Sequence, residues 1–101
     1  MTAMSPDHRN AYQHDYSKIR PESVFDGPSR LRKAGTILAV LQDHFLSGCR
    51  HLKLLDVGCS TGIIANFLAG YFHEVVGIDI DANAIWFARS TFRRPNLEFK
   101  L

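Results

Sequence analysis

The stretch Lys53-Leu54-Leu55-Asp56-Val57-Gly58-Cys59-Ser60-Thr61-Gly62 constrains this chain more than any other. An apolar run meets an acid and passes at once into a turn that holds two glycines. A second apolar run, Val75-Val76-Gly77-Ile78, ends at another acid, Asp79. Strand, acid, glycine turn, helix, strand, acid is the layout of a nucleoside-binding βαβ unit. Ligands of open α/β sheets sit beyond the carboxyl ends of the strands, so acids and glycines placed there point to a ligand class.

The flanking sequence supplies the rest of such a unit. Residues 1–28 are polar and broken by Pro6, Pro21, Gly27 and Pro28, and read as an N-terminal arm with a helical turn over 9–18. Residues 29–101 read as a partial domain. Ser29 is placed to cap a helix in which Leu31, Ala34, Ile37, Leu38, Leu41 and Phe45 share one face, with Gly48 as its stop. Leu52 to Val57 is nearly continuous in apolar residues, which suits a strand buried on both faces. Ile63 to Ala69 reads as a helix, Glu74 to Asp79 as a second strand, and Ala82 to Arg93 as a helix capped by Asp81. Pro95-Asn96 breaks it, and Leu97 to Leu101 alternates as a third strand. Alternating helices and strands with short links imply parallel strands joined by right-handed crossovers.

Several function classes are disfavoured. At 101 residues the chain holds one small domain at most, and its net charge of +2 is too low to point to nucleic acid. Its basic residues lie in two small groups, Arg30-Arg32-Lys33 and Arg93-Arg94, of the kind found on solvated helix faces. Cys49 and Cys59 form no CxxC pair, so neither a disulfide framework nor a zinc site is expected, and a reducing, cytoplasmic setting is. The five histidines have no ligand spacing, and no metal is expected. No apolar run reaches the length of a membrane span, and the first residues do not read as a secretory signal.

The turn itself narrows the ligand. Gly58 and Gly62 let backbone approach a ligand closely and can take a positive φ, and the helix that follows aims its free N–H groups at the same place. A dinucleotide fingerprint has glycine at three positions, G-x-G-x-x-G; counting from Gly58, this chain has Ser60 and Ile63 at the second and third. Asp56 would also repel a pyrophosphate. An acid there suits a ligand with a cationic part, such as S-adenosylmethionine, which carries a sulfonium and an ammonium and no phosphate. Asp79 is placed to accept from both ribose hydroxyls, and Ile80 to lie on the adenine face.

On these residues the chain resembles the class I S-adenosylmethionine-dependent methyltransferases. Leu55-Asp56-Val57-Gly58-Cys59-Ser60-Thr61-Gly62 is similar to the family's cofactor loop, and Val76-Gly77-Ile78-Asp79-Ile80-Asp81 to its ribose-binding strand end. Ser60 stands where the family often has a third glycine. The resemblance implies an α/β, three-layer Rossmann-like parallel sheet of which only the first three of seven strands are present. It implies S-adenosylmethionine as cofactor, bound by Asp56, Gly58, Cys59, Ser60, Gly62, Asp79 and Ile80, with Asp56 orienting the amino group. No catalytic side chain is assigned, and Cys59 is not expected to act as a nucleophile. The expected function is the cofactor-binding portion of a methyltransferase for a small molecule, as a truncated fragment. Two alternatives stand beside it: a non-catalytic remnant or interaction module that dimerises through its strand-one edge, and an NAD-binding enzyme. The arm residues Tyr12, Tyr16 and Arg20 are expected to fold over the cofactor.

Overall fold

The computed structural model describes residues 14–101. The expected turn over 9–18 and the placement of Tyr12 fall partly or wholly outside these residues. The described chain runs through α1 (Tyr16–Ile19), α2 (Pro21–Val24), α3 (Gly27–His44), β1 (Lys53–Val57), α4 (Ile63–Ala69), β2 (Glu74–Ile78), α5 (Ala82–Thr91) and β3 (Leu97–Lys100). The three strands form one parallel sheet in the order β1-β2-β3, with Leu55 opposite Val76 and Gly77 opposite Phe99.

The long helix begins before Ser29. Asp26 is its cap, its carboxylate accepting the Ser29 N–H, and Pro28 sits in the first turn, where its missing N–H costs nothing. The boundary expected at residue 29 therefore falls inside α3, which ends at His44 rather than at Gly48. Asp81 does cap α5, as expected, by accepting the Ala84 N–H. Asn96 closes the turn before β3, its side-chain amide donating to the carbonyls of Ala69 and Phe72.

Strand parity divides the sheet sharply. Val75, Gly77 and Phe99 are buried, and together with Leu38 of α3, Leu68 of α4 and Ile85 and Ala88 of α5 they belong to the buried interior. Two right-handed crossovers that step in the same direction must leave their helices on one side of the sheet, which explains the shared core. The residues between them point the other way. Leu55 is 60% exposed and Val57 72% exposed. The expectation that the first strand is buried on both faces therefore does not hold among the described residues: two of the three layers are built, and one face of the sheet is open. Salt bridges Lys53–Glu74 (3.6 Å) and Lys100–Glu98 (3.8 Å) join side chains of that open parity. Also among the described residues, β1 pairs only with β2, leaving its other edge unpaired.

Candidate functional site

A cleft of about 670 Å³ opens where β1 and β2 end. That volume lies in the range of small-ligand sites. Its lining includes Gly58, Ser60, Asp79 and Ile80 together with Tyr16 and Arg30. Four of the seven expected ligand residues thus meet at one place. Asp56, Cys59 and Gly62 do not line it.

The turn after β1 is wound tightly. Gly58 (φ 75°), Ser60 (φ 53°) and Gly62 (φ 85°) all take left-handed backbone. The N–H groups of Gly58 and Cys59 both donate to the Ile78 carbonyl, at 2.8 and 2.9 Å, which pins the turn to the end of β2. The two glycines serve different ends. A Cβ on Gly58 would meet nothing within 4 Å, so this backbone is open to a ligand. A Cβ on Gly62 would lie 2.6 Å from Phe99 Cζ and 2.9 Å from Ala88 Cβ. Gly62 therefore faces the core, and its job is to let α4 start against α5 and β3. Ligand approach, the role expected from the sequence, does not require it.

Cys59 also points inward. It is 4% exposed, and a Cβ on Gly77 would come within 2.9 Å of its Cβ, so the thiol fills the space that Gly77 leaves. Burial first, then the nearby Asp56 and Asp79 carboxylates, push the thiol up to about 12. A thiol held protonated in this way is a poor nucleophile, in keeping with its expected lack of a catalytic role.

Asp79 occupies the centre of the site. One carboxylate oxygen accepts the Ser60 N–H at 2.8 Å and the other accepts the Asp81 N–H, also at 2.8 Å. Each carboxylate oxygen can accept more than one hydrogen bond, so both keep capacity for a ligand hydroxyl. The same side chain thus clamps the glycine turn to the turn after β2. Asp56 is half-buried behind it. Desolvation chiefly, and the Asp79 charge next, raise the Asp56 carboxyl above its ordinary value, while Arg30 opposes the rise. A half-buried acid beside a second acid favours a cationic ligand group, which would relieve both effects.

The chain is similar to known proteins. A family model described as a methyltransferase domain matches residues 54–101. Residues 54–101 belong to the class I S-adenosylmethionine-dependent methyltransferase family. The malonyl-[acyl-carrier protein] O-methyltransferase of Acetivibrio thermocellus is 32% identical over 94 residues, covering 90% of this chain and 29% of that protein. An uncharacterized RNA methyltransferase of Chlamydia trachomatis serovar D is 29% identical over 98 residues, covering 97% of this chain and 23% of its own length. The chain thus spans less than a third of either relative. Among solved structures, the plantazolicin methyltransferase BpumL in complex with SAH superposes with a TM-score of 0.61 at 21% identity, covering 95% of this chain and 34% of that one. That likeness is one of fold, and it extends over nearly all of this chain.

Arg30 lines the cleft, a position that sequence reasoning does not assign it. The sequence already places Tyr16, which also lines the cleft, on an arm expected to fold over the cofactor. It places Arg30 in a solvated basic group, because its neighbours Arg32 and Lys33 are solvated. Helical spacing holds the signal: with the helix beginning at Gly27, Arg30 lies in the first turn, at the end nearest the cleft.

Proposed function

We propose that the cleft binds S-adenosylmethionine and that this chain is the cofactor-binding portion of a methyltransferase with a small-molecule acceptor. The observation that carries the reading is Asp79, whose carboxylate lines the cleft with both oxygens held by backbone N–H groups and both able to accept further. A rigid two-oxygen acceptor of this kind matches the paired hydroxyls of a ribose. In this arrangement Asp56 attracts the cationic amino end of the cofactor and Ile80 lies against the adenine. Arg30 takes the carboxylate of the methionine part as a bidentate pair. Gly58 gives the methionine chain room. Cys59 and Gly62 support the turn from behind. When bound, the cofactor would supply a sulfonium methyl for transfer to a nucleophilic acceptor. The chain's own residues orient the cofactor and exclude water from one side of it, and none of them is assigned a proton transfer.

Calorimetry with S-adenosylhomocysteine tests the reading. Binding is expected, with Arg30→Met weakening it at least tenfold while leaving adenosine, which has no carboxylate, bound as before. Absence of any binding, or equal loss for both ligands, would count against it. NAD is expected not to bind, since the charge of Asp79 on the cleft, with that of Asp56 behind it, would repel its pyrophosphate.

The charge of +2, and a cleft lining that sets Arg30 and Lys100 against Asp79 and Asp81, support a small acceptor over RNA. Two buried, free thiols, Cys49 and Cys59, support a reducing, cytoplasmic setting. The open sheet face supports the view that this chain is a fragment, the face being the seat for further methyltransferase sequence such as its longer relatives contain. A second reading rests on the same face and on the unpaired edge of β1: an interaction module that dimerises there. Light scattering separates them, since a stable dimer without affinity for S-adenosylhomocysteine supports the module and a ligand-binding monomer opposes it.

A further inference from the structure

The cap of α5 does more than cap. Asp81 is 2% exposed, and its carboxylate divides between two distant segments. One oxygen accepts the Ala84 N–H at 3.1 Å, the ordinary cap bond. The other accepts the Ser17 N–H at 2.6 Å, from a residue that is itself buried. Asn83 adds a second tie, its side-chain amide donating to Ser17 Oγ at 3.0 Å. The ring of His14 bonds the Ile80 carbonyl at 3.0 Å. On the far side of the cleft, Thr61 Oγ donates to the Val24 carbonyl at 2.6 Å, and Arg30 Nε donates to the Ser23 carbonyl at 3.0 Å. The segment 14–25 is therefore fastened at both ends: to the turn after β2 by one set of bonds, and to the glycine turn and α3 by another.

Two side chains of the cleft adjoin this fastening. Tyr16 precedes the latched Ser17, and Arg30 is oriented by a carbonyl of the same segment. We propose that Asp81 is a positioning residue for the nucleoside site, latching the segment 14–25 against the turn after β2 and so setting Tyr16 and Arg30 on the cleft. The inference rests on the reading of the cleft as a nucleoside site. The latch is charge-assisted and buried, which makes it strong for a single hydrogen bond. Closure of the segment and occupation of the cleft are then linked: a ligand that touches Tyr16 and Arg30 binds only the latched form. Its apparent dissociation constant rises as the latched fraction falls. By reciprocity, the ligand makes the segment harder to open.

Asp81→Ser separates the two roles. Serine is as good a cap as aspartate and keeps one oxygen for Ala84, but it has no second oxygen for Ser17. Asn83→Ala removes the second tie and leaves the cap untouched. The readouts are calorimetry with S-adenosylhomocysteine and hydrogen exchange, with and without that ligand, over residues 14–25 and over β2 as a control for folding. In the unaltered protein the ligand is expected to slow exchange over 14–25 at least tenfold. Asp81→Ser is expected to weaken binding tenfold or more and to abolish that ligand-dependent slowing, with β2 exchange unchanged. Asn83→Ala is expected to weaken binding about threefold. If both variants bind as the unaltered protein does and keep the slowing, the latch is refuted while the nucleoside reading stands. If Asp81→Ser opens β2, Asn83→Ala decides, and unchanged binding there refutes the latch. Failure of the unaltered protein to bind S-adenosylhomocysteine would instead overturn the nucleoside reading and this proposal with it.

Discussion

Three neighbouring residues with left-handed backbone, Gly58, Ser60 and Gly62, answer differently to the same question of why each is what it is. Ser60 bears a strain of about 1–2 kcal/mol for an L-residue at such a φ. Against that, glycine gains flexibility in the unfolded chain worth about 0.4–1 kcal/mol. Ser60→Gly is therefore expected to be neutral or to stabilise by up to about 1.6 kcal/mol in chemical denaturation. Gly62→Ala meets both a forbidden φ and the ring of Phe99, and is expected to cost more than about 3 kcal/mol or to abolish folding. Asp56 pulls against the empty protein, because its raised carboxyl marks a charge that burial disfavours. Asp56→Asn is expected to raise the melting temperature at neutral pH while weakening binding of S-adenosylhomocysteine, a trade of stability for affinity that differential scanning calorimetry and titration would expose. Cys59 sets an alkaline limit. Its folded value of about 12 lies above the ordinary 9.0, so the folded state keeps a proton that the unfolded state releases. Stability is complete below about pH 9 and is expected to fall as pH rises from there toward 12, while Cys59→Ser should flatten that decline.

At the scale of elements, periodicity places every helix and strand from residue 29 onward within a few positions. The apolar spacing of Leu38 and Leu41, the glycine turn and the Pro95-Asn96 break carry enough local information to do so. What periodicity does not show is the start of α3, because Asp26 and Ser29 are both good caps and only the geometry selects between them. Asp26→Ala is expected to cost about 1 kcal/mol by thermal denaturation, and Ser29→Ala much less. Nor can spacing reveal which acids act together. Asp79 reads as a strand-end acid and Asp81 as a helix cap, yet Asp79 also holds the glycine turn and Asp81 also holds Ser17, a residue far away in sequence. Contacts of that range leave no trace in local pattern. For the same reason Cys59 and Gly62 read as cleft residues in the sequence: the turn is visible there, but the direction in which each residue faces is not.

For the molecule as a whole, the open face of the sheet is the dominant fact. Continuous apolar sequence in β1 reads as burial on both sides, and half of that burial is unmet among the described residues. Leu55 and Val57 stand exposed beside Val76 and Ile78, which are only partly covered. Such a patch is a binding surface or a site of aggregation. Leu55→Lys together with Val57→Thr is expected to raise solubility and to lower the fluorescence of a bound hydrophobic dye, with little change in stability, because neither side chain packs into the core. A large loss of stability would show instead that this face is covered within the folded protein. Trp86, 69% exposed on α5, lies apart from both this face and the cleft lining.

The contact of Gly62 with Phe99 bears on how small this kind of site can be. The turn that cradles the ligand leans on a ring supplied by the third strand, so the turn and its helix are not a portable cassette. A designer who moved only residues 53–79 to a new scaffold would bring both acids and all the glycines of the turn, yet leave behind the surface against which that turn is moulded. The smallest transplantable unit must reach Phe99, and any host must present something of that shape beneath Gly62.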